Sequence, residues 1–128
     1  MELLKKLCSI AAPSGEEGPM HDFLMSYIYE YSKNWKVQPE IFAGEDFQEC
    51  IVLVFGKPRT AIFAHIDNIG FTVRYENQLV KIGGTHLKSG TQLVGTDRDG
   101  SVTCEVVLDD ENHLLYKSKR AIERGTNL

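Results

Sequence analysis

The segment Ala64-His65-Ile66-Asp67-Asn68-Ile69-Gly70-Phe71 places a histidine two residues before an aspartate at the end of an apolar run. In a strand, residues i and i+2 share a face, so His65 and Asp67 would point the same way. A neutral imidazole is a good zinc ligand at about 2.0–2.1 Å. A carboxylate beside it can accept the other ring N–H, fix the tautomer and raise the basicity of the ligating nitrogen. Open α/β sheets place their ligands at the carboxyl ends of strands, and Gly70 permits a close turn after the pair. On these grounds His65 is a candidate metal ligand, and Asp67 is the candidate catalytic carboxylate that orients it. A polar cap on a core strand would use the same two residues, and one histidine is not a metal site, because three or four ligands are needed. The sequence leaves both readings open.

The other reactive residue types offer less. His21 falls on the polar face of a helix and reads as solvated, His113 sits in an acidic turn and reads as exposed, and His86 belongs to a loop after Gly83-Gly84. Glu16 and Glu17 suit capping and the helix dipole better than catalysis. Gly83-Gly84 alone is too little for a phosphate cradle, and there is no Gly-x-Ser-x-Gly elbow. Asp97-Arg98-Asp99-Gly100 matches part of a calcium loop but lacks the glutamate that must follow, so it reads as a hairpin turn. Cys8, Cys50 and Cys104 form no CxxC pair and read as reduced, mostly buried thiols of a cytosolic protein.

Around these residues the period of the apolar positions changes along the chain. Leu3, Leu4, Leu7, Ile10 and Ala11 give a first helix over residues 2–11, which Pro13 stops. Ser14-Gly15-Glu16-Glu17 reads as a capping box for a second helix carrying Met20, Phe23, Leu24, Tyr27, Ile28 and Tyr31. Pro19 argues for a loose first turn or a start near Gly18. Residues 35–42, 49–55 and 60–65 then read as short strands, the last two apolar on both faces and therefore expected inside a helix-covered sheet. Residues 71–75 and 79–82 pair about a turn near Glu76-Asn77. Residues 91–94, 101–108 and 114–117, set between Asp97-Arg98-Asp99-Gly100 and Asp109-Asp110-Glu111-Asn112, form a small all-β unit of barrel-like type. The boundary between the two textures lies between Tyr75 and Gly84. Residues 124–128 read as the entry to a further strand, which suggests a chain cut short.

The 128 residues suffice for one ordinary domain, with 42% hydrophobic and 25% charged residues. The net charge of −4 and the lack of a long basic run argue against a nucleic-acid or anionic-membrane surface. Lys117-Ser118-Lys119-Arg120 reads as a solvated turn. The N-terminus has no signal-peptide core, and no run is long enough to span a membrane, so a cytoplasmic location is expected.

The order of Ala12-Pro13-Ser14-Gly15-Glu16-Glu17, an amphipathic helix, the segment from Ala64 to Phe71, and then Ile82-Gly83-Gly84 resembles the beginning of the glutamyl/deblocking aminopeptidases, which include the tetrahedral aminopeptidases. Members of that family show a proline-serine-glycine-glutamate helix entry, a histidine-x-aspartate-glutamate-isoleucine-glycine strand end, and isoleucine-glycine-glycine before an inserted β domain. The resemblance runs to Gly84, and the later β region fits by type and position. It implies an α/β fold: the start of an α/β/α catalytic domain with two helices and a mixed sheet over residues 1–78, an inserted barrel-like β domain used for oligomerisation over 79–122, and a return strand over 123–128. It implies two divalent ions, zinc or cobalt, and removal of N-terminal residues from peptide substrates. His65 maps to the first metal ligand and Asp67 to the aspartate that tunes the site. The remaining ligands and the glutamate base follow the inserted domain in the family, so these 128 residues are expected to bind metal weakly and hydrolyse nothing alone. The chain departs from the family in having Asn68 where glutamate is usual, and in a β unit short for the inserted domain.

In the complete enzyme the ions would lower the pKa of a bridging water and polarise the peptide carbonyl, while a glutamate moves the proton. Two alternatives stand beside this. Related two-metal exopeptidases and deacylases also use a His-x-Asp strand end. A non-catalytic β-rich binding or oligomerisation module would equally lack the other catalytic residues.

Overall fold

A computed structural model describes residues 1–84 and 87–128; His86 lies outside them. The protein is mixed α/β, with two α-helices and three small antiparallel sheets among the described residues. It divides into two compact units, Met1–Asp67 and Asn68–Leu128.

In the first unit, helix α1 (Glu2–Ser9) stops at Ile10, whose backbone is extended, and buries none of its residues. Helix α2 (Gly18–Tyr31) buries Met20 and Ile28. Pro19 stands in its first turn, where the missing N–H would have had no helical acceptor. The expected capping box does not form. Glu17 is the N-cap and no side chain caps the helix. The late start that Gly18-Pro19 imposes carries the first free N–H groups beyond the reach of Ser14, and Glu17 Oε1 instead accepts from the Gly15 amide at 2.8 Å.

Strands β1 (Glu40–Phe42) and β2 (Val52–Val54) pair antiparallel with Ile41 opposite Leu53. The sheet expected here was to be mixed and buried on both faces. Instead β2 has β1 as its one neighbour among the described residues, and Val52 and Phe55 are exposed. The expected core strand over 60–65 does not form either, and Ile62 and Phe63 are 94% and 91% exposed. A doubly apolar strand is stable only with hydrogen-bonded neighbours and helices over its faces; no described residue supplies either to this segment. Cys8 and Cys50 are exposed rather than buried, while Cys104 is buried; all three thiols are free, as expected.

The second unit holds the hydrophobic core. Strands β3 (Gly70–Val73) and β4 (Leu79–Ile82) form a hairpin with Val73 opposite Leu79. Its turn places Glu76 and Asn77 in the left-handed region, which asparagine tolerates and glutamate visits rarely. Strands β5 (Gln92–Asp97), β6 (Gly100–Leu108) and β7 (Leu114–Ser118) form a meander, with turns at the two acidic loops as the sequence suggests. Along β6, burial alternates in period two, the mark of a sheet with one face on a core. Phe71, Val73, Leu79, Val102, Cys104, Val106, Tyr116 and Ile122 make that core.

The tail closes against β3: Phe71 and Leu128 exchange backbone hydrogen bonds of 3.0 and 2.8 Å, and Val73 N–H donates to Thr126 at 3.0 Å. After a turn at Arg124-Gly125, residues 126–128 thus lie antiparallel against β3 through an isolated bridge of Asn127 with Thr72. A side chain at Gly95 would strike the Asn127 carbonyl oxygen, so glycine there permits the tail to lie this close. Arg120 is not part of a solvated turn. Its guanidinium grips the fully buried Asp97 carboxylate through two bonds of 2.6 and 2.7 Å and also donates to the Gly100 carbonyl at 3.1 Å. This bidentate bond holds the Asp97 carboxyl well below the ordinary carboxylate range.

Val106 is wholly buried at the centre of β6. Val106→Ala removes two methyl groups and leaves a cavity, so denaturant unfolding followed by circular dichroism should show a loss of about 2–3 kcal/mol.

Candidate functional site

His65 and Asp67 lie together in the first unit, on a connection without regular structure rather than at the tip of a core strand. The expected placement in a strand is therefore corrected, while the two side chains do meet. The His65 Nδ1 is 3.0 Å from the Asp67 carbonyl oxygen and 3.2 Å from its Oδ1. Both neighbours are acceptors only. Nδ1 must accordingly carry the proton, and in the neutral ring the lone pair is left on Nε2. The imidazole is 87% exposed, so that lone pair faces solvent.

The third member of the cluster is Ser14, whose hydroxyl donates to Asp67 Oδ2 at 2.5 Å. Ser14 lies on the turn between α1 and α2, where Pro13 and Gly15 fix the backbone; Gly15 takes φ +92°. The Ser14 bond is the largest of the effects that hold the Asp67 carboxyl below its usual value, with its own backbone and the His65 ring adding to it against partial desolvation. The carboxylate consequently stays ionised beside the imidazole at neutral pH.

This order, serine to aspartate to histidine, differs from a nucleophilic triad. There the histidine must receive the serine proton, whereas here Ser14 spends its proton on the carboxylate. What the array can do is present one oriented imidazole nitrogen. Among the described residues no group of three or more His, Cys, Asp or Glu side chains gathers around a common point. The donor set fits one position of a divalent metal site, with a carboxylate partner of the kind that orients such a ligand.

The remaining described histidines lie elsewhere. His113 donates from Nδ1 to Asp109 Oδ2 at 2.9 Å in the β6–β7 turn and is exposed, as the acidic turn suggests; that bond raises its pKa. His21 is not solvated. Its side chain is 16% exposed, with Nδ1 3.4 Å from Asp22 and 3.5 Å from Glu49, and its Nε2 is buried without a partner among the described residues. Sequence periodicity alone could not place Glu49 against His21, because the two sit on different elements. Ser14 as the partner of Asp67 was also missed: its position before a helix fits capping, and a contact across 53 residues leaves no local spacing signal.

Ser14→Ala should raise the Asp67 pKa toward the ordinary value near 3.9. A carbon-detected NMR pH titration of the Asp67 carboxyl checks this; an unchanged midpoint would show that the hydroxyl does not hold the carboxylate. No protein-family model and no curated protein matches the chain.

Proposed function

We propose that this chain supplies the first metal-ligand segment of a two-metal aminopeptidase that removes N-terminal residues from peptides. The observation that carries the reading is the His65 ring, whose Nδ1 is tied to Asp67 and whose Nε2 lone pair is left open to solvent. The motif order from Pro13 to Gly84 supports it from the sequence side.

A pair of zinc or cobalt ions would supply Lewis acidity at the completed centre. The chain's own residues have narrower tasks. His65 offers Nε2 as a neutral ligand. Asp67 keeps the ring in that tautomer and makes Nε2 more basic, and Ser14 keeps Asp67 ionised and aimed. The α/β/α catalytic domain over residues 1–78 and its inserted β domain over residues 79–122 belong to the same proposal, with β4 to β7 in the inserted part. So does a homo-oligomer formed through that β domain.

A second reading is favoured by the self-contained core of Asn68–Leu128, where the tail pairs back onto β3. On that reading the chain is a non-catalytic β-rich binding or oligomerisation module, and the His65 array is a polar turn.

Titration with Co2+, followed by His65 ring NMR signals, separates the two. The aminopeptidase reading expects weak binding that His65→Ala abolishes and Asp67→Asn weakens about 10- to 100-fold. It also expects no turnover of aminoacyl p-nitroanilides by the 128 residues alone. Cobalt binding indifferent to His65→Ala would remove the reading, and so would metal-dependent cleavage by this chain unaided.

A further inference from the structure

Residues 60–64, Thr-Ala-Ile-Phe-Ala, belong to no helix or strand, and their backbone groups bond to no other described residue. Ile62 and Phe63 stand 94% and 91% exposed, side by side. A β-prone, uncharged stretch with free N–H and C=O groups is a template for strand addition. The charges at its two ends point to the occupant. Arg59 is exposed and has no acidic partner among the described residues. Asp67 accepts from Ser14 and His65, yet a carboxylate offers about four lone-pair sites, so it can take another donor.

We infer that residues 59–67 pair antiparallel with the same residues of a second copy of this chain, with the two Phe63 side chains facing each other at the dyad. This register sets Arg59 opposite Asp67 twice, once at each end, and Ile62 opposite Ala64. Arg59, Ala61, Phe63, His65 and Asp67 then share one face, with the apolar pair central and opposite charges outermost. The strand begins after Pro58, which has no N–H to give a ladder. Sliding the dyad to Ile62 would draw Pro58 into the pairing, and sliding it to Ala64 would set Asp67 against Ala61 and leave Arg59 without its carboxylate. Pro58 and the Arg59–Asp67 pairs therefore select the register. A segment this short makes a small interface, below the area of a permanent dimer, so association should depend on concentration. The inference does not require the metal reading.

The test uses the 128-residue chain with Cys8→Ser and Cys50→Ser, which removes the exposed thiols, in a dilution series by light scattering after size exclusion. The expected result is twice the 14.4 kDa chain mass at high concentration, falling to one chain on dilution. Phe63→Lys, at a site too exposed for folding to depend on it, should give one chain throughout with an unchanged circular dichroism spectrum. Arg59→Asp should do the same, and adding Asp67→Arg should restore the dimer. Phe63→Cys should oxidise to a disulfide-linked dimer, since directly opposed antiparallel residues lie about 4.5–5.5 Å apart at Cα, within disulfide reach. A parent chain that stays single at every concentration overturns the inference. So does a dimer that survives Phe63→Lys, one indifferent to Arg59→Asp, or open-ended aggregation without the disulfide-linked dimer.

Discussion

The Asp67 carboxylate is the junction on which the functional reading depends. One oxygen takes the Ser14 hydroxyl and the other lies beside His65, whose Nδ1 also reaches the Asp67 carbonyl. An exposed imidazole on an irregular connection would otherwise sample several rotamers and both tautomers, and a metal would have to order it on binding. Fixing the ring beforehand lowers that cost and decides which nitrogen is offered. Ser14 matters because a hydroxyl donor stabilises the charged carboxylate over its protonated form. The bond also ties two points 53 residues apart, so the turn after α1 and the His65 segment are held to one geometry.

The two units rest on unequal foundations. Asn68–Leu128 has a contiguous core built from β3, β4, β6, β7 and Ile122, reinforced by the Arg120–Asp97 clasp and by the tail on β3. A buried carboxylate without its guanidinium would be costly, so this clasp fixes where β5 ends and the chain after β7 must run. Met1–Asp67 has no comparable cluster: its buried apolar side chains are few, Ala12, Met20 and Ile28 among them, while Leu4, Phe42, Phe55, Ile62 and Phe63 face solvent. The unit that carries His65 and Asp67 is thus the one with less burial to stabilise it. A site in such a unit gains its order from polar ties such as that of Ser14 with Asp67.

Where local chemistry decides the conformation, the sequence was readable. Glu76-Asn77 and the two acidic loops became turns, whereas α1 ended at Ser9, two residues before its expected limit and short of Pro13. The end of the chain was rightly seen as strand-like, though its partner β3 could not be named from spacing. The failures share a cause. Residues 60–65 have the composition of a core strand, but composition states a preference that only a neighbouring strand can satisfy, and no described residue does. Ser14 fitted a capping box until Gly18-Pro19 set the helix start. Arg120 looked solvated because its partner, Asp97, lies across the sheet. At the site, the i, i+2 spacing of His65 and Asp67 was legible, while their placement on an irregular connection was not.

The central claim is that Asp67 fixes the His65 ring as the tautomer protonated at Nδ1. Nitrogen-15 NMR of the imidazole, at a pH where the ring is neutral, tests it most directly. The account expects the Nδ1 resonance of a protonated nitrogen and the Nε2 resonance of a bare one, with Nε2 alone shifting strongly when Zn2+ is added. A ring protonated at Nε2, or one averaging both tautomers with neither nitrogen answering to the metal, would contradict it.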